Sequence, residues 1–296
     1  MPKLPILEPI PIPERAIDQA LDIQHDTDPA EDHSRARRIP HLGHAIFFFS
    51  LTVLCFALCL IAVLSAAHIH TDQAVQHPGL TLLAEVLAYA VTLLASAAIF
   101  SRLWAVPFLK GIQWNFLAAR RRWFWIVPPA IVLSLLAQIA DTRFPPPPKS
   151  PLDAFFHTPL HAWLFTVVGV FLIPFFEEVA FRGFLLPALA TAYDWLALER
   201  SPAGLRRWET STAHSTPSLF FAAVFSSLAF ALIHGDQLSY SLGPLSVLFT
   251  VSLALSYARL RNHSVACSFL LHATYNLTTF ATAIIASGGY RHLDRL

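Results

Sequence analysis

The 296-residue chain carries a formal charge of +1, with 55% hydrophobic and only 13% charged residues, against about 25% charged in ordinary soluble domains. That balance excludes a soluble domain, which would have to bury six or seven apolar helices of bilayer length in one small core. It also excludes nucleic acid as a partner, since no basic stripe interleaves with aromatic residues.

Residues 1–40 are rich in proline and in both signs of charge, and they read as a disordered tail. The first apolar run begins near residue 45. A cleaved signal peptide reaches its apolar core within about fifteen residues, so a retained anchor fits better. Residues 45–66, "AIFFFSLTVLCFALCLIAVLSA", form about 22 residues without a charge, enough helix to cross about 30 Å of hydrocarbon. Further spans are predicted at 80–101, 123–140, 160–187, 218–234, 243–259 and 264–286. That makes seven, or eight if the fourth breaks at Pro174 or Pro187. "RRRWFW" at 120–125 reads as an interfacial anchor, and Pro145–Pro148 as a stiff external loop. Cys55, Cys59 and Cys267 all fall inside predicted helices, which suits apolar fillers and neither a disulfide framework nor a thiolate zinc site.

Basic residues set an expected orientation. Arg35, Arg37 and Arg38 precede the first span, and Lys110 with Arg120, Arg121 and Arg122 follows the second. Arg200, Arg206 and Arg207 follow the fourth, and Arg259 and Arg261 the sixth. By the positive-inside rule the amino terminus and these exits are cytoplasmic. Arg143, Lys149, Arg291 and Arg295 run against the contrast.

The polar residues inside the spans need a reason, because an uncompensated charge at a bilayer centre costs about 2.5–3.5 kcal/mol on insertion scales. "FFEEVAFRGF" places Glu177, Glu178 and Arg182 in the fourth span. Glu178 and Arg182 are four apart on a helix and can pair, whereas Glu177 is rotated by about 100° and must find a partner elsewhere. The competing account is a helix end at which all three charges reach water. The fifth span ends with Phe230 and His234, and the seventh carries His272 and Asn276, each pair four residues apart on one face. Ionisable residues on three apolar helices have one another as natural partners, and together they mark a functional site. A packing role for Asn276, as a hydrogen bond to a neighbouring helix, stays open.

The set E-E-x-x-x-R, F-x-x-x-H and H-x-x-x-N, in that order, resembles the CPBP family of type II CAAX prenyl endopeptidase-like and bacteriocin-processing (Abi) intramembrane proteases. The resemblance covers about residues 155–290 and includes the Phe-Arg-Gly of "AFRG". It implies an all-α membrane bundle of seven to eight helices with the active site inside. Residues 1–40 would be a cytoplasmic tail, 41–150 the first three spans and 151–290 the protease domain. It implies an integral, multi-pass protein, in the cell (inner) membrane if the host is prokaryotic, whose partners are the bilayer and a membrane-associated protein or peptide substrate.

Within that resemblance the catalytic set is Glu177, Glu178, Arg182, His234, His272 and Asn276. Glu177, helped by His234, takes a proton from water, and His272 and Asn276 donate to the tetrahedral oxyanion. No cofactor is then required. The rival is a metalloprotease-like account in which Glu177, His234 and His272 hold a zinc ion, against which the absence of H-E-x-x-H weighs. Two other classes remain: a non-catalytic scaffold or bacteriocin-immunity protein, and a proton-coupled transporter. The first expects a missing motif residue. The second expects broken segments in symmetric halves, but the polar residues all fall in the second half. Asp194 and Asp236 faintly resemble presenilin-like aspartates but sit at or beyond helix ends, where they are expected to be solvated.

One expectation is awkward. Glu177 should lie about ten residues from the cytoplasmic end of the fourth span, and His272 about eight residues into the seventh, both some 12–15 Å deep. His234, about sixteen residues into the fifth, should then lie nearer the far side.

Overall fold

The structure is a computed structural model and describes residues 38–144 and 151–295. The expected disordered tail and the Pro145–Pro148 loop fall outside these residues, Arg38–Pro40 apart. Seven helices are long and apolar enough to cross a membrane: α1 (Leu42–Ala66), α2 (Pro78–Trp104), α3 (Phe116–Asp141), α4 (Pro159–Leu196), α5 (Thr216–Ile233), α6 (Leu242–Asn262) and α7 (Val265–Ala286). No strand occurs among the described residues. The protein is an all-α polytopic membrane bundle.

Local sequence sets the starts. Asn115 accepts from the Ala118 amide ahead of α3, Thr158 from His161 ahead of α4, and Ser215 from Ser218 ahead of α5; each quiets one of the unbonded amides of a first turn. Pro159 follows its cap directly and Pro217 comes one residue after it, both in a first turn where a missing N–H costs nothing. Ala105 and His263 adopt left-handed conformations that close α2 and α6.

The third helix begins seven residues before its expected start, so Arg120, Arg121 and Arg122 lie within α3 rather than in a preceding loop. Arg259 and Arg261 likewise occupy the last turn of α6. An apolar run marks only the stretch that hydrocarbon can cover, whereas helical hydrogen bonding continues into the interface.

The fourth span does not break at its prolines. Its 38 residues run on as one helix, with π-helical turns at Val168–Leu172 and Val179–Leu185 just before Pro174 and Pro187. Proline removes a donor and crowds the preceding turn, and widening that turn is one way a helix absorbs it. At 1.5 Å per residue α4 is about 57 Å long and overshoots its neighbours.

That overshoot resolves the depth of His234. The carboxylate of Asp194, in the last turn of α4, accepts from the Ser215 and Ser218 hydroxyls at 2.6 and 3.0 Å, so α5 starts beside it. Seventeen residues separate Asp194 from Glu177 and nineteen separate Ser215 from His234. The two antiparallel helices therefore bring His234 level with Glu177. Asp194, expected to be solvated, instead ties the helix pair together.

Two apolar clusters hold the bundle. One is aromatic and joins α1, α2, α4 and α5, with Phe48 stacked on Phe184 at 4.4 Å and Phe100 on Trp104 at 4.7 Å. The other joins α3, α6 and α7 and is rich in alanine (Ala119, Ala130, Ala137, Ala258, Ala266), small residues that let membrane helices approach closely. Both combine residues from either side of position 150. Cys55 and Cys267 are buried thiols, and all three cysteines are free.

Candidate active site

The buried charges of α4 converge with α5, α6 and α7. Arg182 Nη1 donates to Glu178 Oε1 at 2.9 Å, the expected pair, with both side chains fully buried. Arg182 Nη2 donates to the carbonyl and hydroxyl of Ser252 on α6 at 2.9 and 2.7 Å. These charges do not reach water at a helix end; the protein supplies their partners, as burial requires. His272 Nδ1 also lies 2.9 Å from Glu178 Oε1. Since Arg182 keeps that carboxylate ionised and accepting, Nδ1 is the protonated nitrogen, and Nε2 points toward Glu177 at 3.7 Å.

His234 is fixed in a matching way. Its Nδ1 lies 2.8 Å from the carbonyl of Phe230. A carbonyl only accepts, so Nδ1 carries the hydrogen and Nε2 faces Glu177 Oε1 at 3.4 Å. The Phe230 ring lies 4.8 Å from the Arg182 guanidinium carbon and edge-on to His272 at 5.8 Å. Each Glu177 oxygen thus faces the Nε2 of a different histidine.

Asn276 has a partner that sequence reasoning left open. The α-helical donor to the Gly169 carbonyl would be the Ile173 amide, but in the first π turn that amide bonds Val168. The next residue, Pro174, has no N–H. Asn276 Nδ2 donates to the stranded Gly169 carbonyl at 2.8 Å. Gly169 permits the approach, since a side chain there would meet the Phe280 ring at 3.0 Å. The arrangement recurs one proline later. Leu186 N–H bonds Phe181, Pro187 has none to give, and the Arg182 carbonyl accepts from Arg259 Nε at 3.3 Å. Arg259, read from sequence as a topology marker, is buried and also bonds Gln113 at 2.8 Å.

Glu177, His234, His272 and Asn276 line one cavity of about 550 Å³, within the range usual for small-molecule sites. The six expected residues are therefore brought together, four on the cavity and Glu178 and Arg182 packed behind it. Part of the wall comes from helices without a motif. Glu85 and Tyr89 of α2 and Gln138 and Asp141 of α3 face the same space. Tyr89 donates to Glu85 at 2.6 Å and stacks on Phe176 at 3.9 Å. On the other side of α4, Glu177 also borders an apolar pocket of about 300 Å³ between α1, α2 and the end of α5.

The zinc account needs Glu177, His234 and His272 to converge as ligands. Among the described residues no three His, Cys, Asp or Glu side chains are placed to hold a metal ion.

A family model described as "Type II CAAX prenyl endopeptidase Rce1-like" matches residues 159–278. No curated protein and no solved structure matches the chain. The matched stretch contains all six converging residues and ends two beyond Asn276. Over residues 159–278, which include the converging residues, the chain is similar to the Rce1-like type II CAAX prenyl endopeptidase family.

Proposed function

We propose that this protein hydrolyses a peptide bond of a membrane-associated protein or peptide, with Glu177 activating the water. The observation that carries this reading is the bracketing of Glu177 by two histidine Nε2 atoms inside a cavity buried in the bundle. Gaps of 3.4 and 3.7 Å are longer than direct hydrogen bonds but too narrow for a water between the atoms, so the reacting water sits beside all three groups on the cavity side.

In this reaction the water oxygen attacks the scissile carbonyl carbon while its proton passes to Glu177, and His234 Nε2 accepts from the water's other hydrogen and orients it. Charge then develops on the carbonyl oxygen. The second N–H of the Asn276 amide donates to it, and His272 donates from Nε2. Glu177 returns the proton to the leaving nitrogen as the C–N bond breaks. Glu178 and Arg182 position His272 and touch no reacting atom. The apolar pocket beside Glu177 takes a lipid-embedded part of the substrate, which favours membrane-associated chains over soluble ones. The amino terminus is assigned to the cytoplasm by the basic residues that precede α1, and the membrane is the cell membrane if the host is prokaryotic.

The test is terminal-peptide proteomics on membranes from cells expressing the wild type or Glu177→Gln. New protein termini that depend on Glu177 are expected; identical termini would favour a scaffold. The reaction is assigned without metal. Exhaustive chelation of the purified protein should therefore leave hydrolysis of the identified substrate unchanged. Activity lost on chelation and restored by stoichiometric zinc would overturn that assignment.

A further inference from the structure

A cavity of about 870 Å³ lies away from the candidate active site, in a groove between α3 and α6. Its lining is ordered along the helix axes. Arg121, Arg122 and Arg261 stand at the end where α3 begins and α6 ends. One turn further in come Trp125 and Tyr257, and beyond them Pro129, Leu133 and Ala254. Arg121, Trp125, Pro129 and Leu133 are spaced by four, which makes a single stripe of α3, and Tyr257 and Arg261 repeat the spacing on α6.

The charge at the rim is uncompensated. No acidic residue occurs between Glu85 and Asp141, or between Asp236 and Asp294, so neither helix wall supplies a carboxylate inside the groove. Among the described residues Arg121, Arg122 and Arg261 form no salt bridge; Arg122 bonds only the neutral amide of Asn262. Trp125 is 79% exposed and Tyr257 68% exposed, aromatic rings presented outward at the level where such residues anchor in headgroups.

We infer that this groove binds one anionic phospholipid, its phosphate held by Arg121, Arg122 and Arg261, its glycerol region between Trp125 and Tyr257, and its acyl chains along the apolar floor. Basic pockets between membrane helices suit such headgroups, and arginine's planar fork suits phosphate oxygens. The order from guanidinium to aromatic to aliphatic matches the order of chemistry along a lipid, which a free phosphate would not need.

The test uses purified full-length protein in nanodiscs of phosphatidylcholine with and without 20 mol% phosphatidylglycerol, with bound lipid counted by native mass spectrometry. Selective retention of phosphatidylglycerol is expected. Arg121→Gln with Arg261→Gln should weaken it about 25-fold, at about five-fold per arginine. Arg121→Lys with Arg261→Lys should lose much less, and Trp125→Ala should weaken retention with the charges intact. Arg206→Gln with Arg207→Gln, basic residues at the same end but outside the groove, should change nothing. Equal retention of both lipids, or equal loss from the control pair, would overturn the site. Displacement by millimolar glycerol 3-phosphate as effective as by added lipid would reduce it to a plain anion site and overturn the lipid assignment. Melting temperature, followed for every variant, separates lost binding from lost fold.

Discussion

Two helices of bilayer length, α1 and α4, have opposite surroundings. Only 11% of the most apolar window of α1 is buried within the protein, against 61% of that of α4. An outward-facing helix needs nothing but apolar side chains, and α1 has a mean hydropathy of 2.8 there, against 1.9 for α4. A helix enclosed by others can carry charge, because its neighbours supply the partners that lipid cannot. The interior of α4 holds the Glu177 and Glu178 carboxylates, the Arg182 guanidinium and the prolines Pro174 and Pro187, and each is answered by a group from another helix or by a widened turn. Function gathers where the bundle, not the bilayer, is the solvent.

The contrast breaks most severely at Arg182. Replacing it with alanine strands the Glu178 carboxylate in a fully buried position, and removing one partner of such a pair costs about 3–5 kcal/mol. Arg182→Ala should melt far below the wild type in detergent or fail to purify as a monodisperse species. An unchanged melting temperature would mean that the pair is solvated.

Next comes Asn276, whose amide is assigned both a backbone carbonyl and the oxyanion. Loss of one oxyanion donor lowers kcat by about 10²–10³. Asn276→Ala should show that fall with little change in KM, alongside a modest loss of stability from the freed Gly169 carbonyl. Lower melting temperature with near-normal kcat would leave only the packing role.

Tyr89→Phe probes the wall contributed by α2. It removes one hydrogen bond to Glu85 while keeping the ring stacked on Phe176, so a stability change of about 0.5–1.5 kcal/mol is expected in thermal unfolding. A several-fold shift in KM would show that this wall meets the substrate. The smallest effect should come from α1. Leu58 is 58% exposed, and Leu58→Ala should stay within about 0.5 kcal/mol of the wild type. A loss of 2 kcal/mol or more in the same assay would show α1 packed against protein there, and would dissolve the comparison with α4.

The seven helices were legible in the sequence because hydrocarbon imposes a length and a composition that few other environments demand. The converging residues were legible because charges on apolar helices have so few partners to choose from. Four features escaped. Pro174 and Pro187 were visible as potential breaks, but the carbonyl five residues before each was not; that position predicts where a side chain from another helix must donate. Glu85 and Tyr89 escaped because one carboxylate near a helix start reads as interfacial until tertiary packing turns it inward. The level of His234 escaped because hydropathy marks where α5 is apolar, not that it starts beside the overshooting end of α4. Ser252 carries no signal at all, since a serine in an apolar helix commonly bonds its own backbone.

The account stands or falls on Glu177. The decisive measurement is turnover of the identified substrate by purified Glu177→Gln in detergent, with melting temperature followed in parallel. Glutamine keeps the shape and can still donate and accept hydrogen bonds, but it cannot take a proton from water. The predicted result is an enzyme as stable as the wild type with no detectable hydrolysis. Wild-type turnover by a folded Glu177→Gln protein would contradict the claim that this carboxylate activates the water.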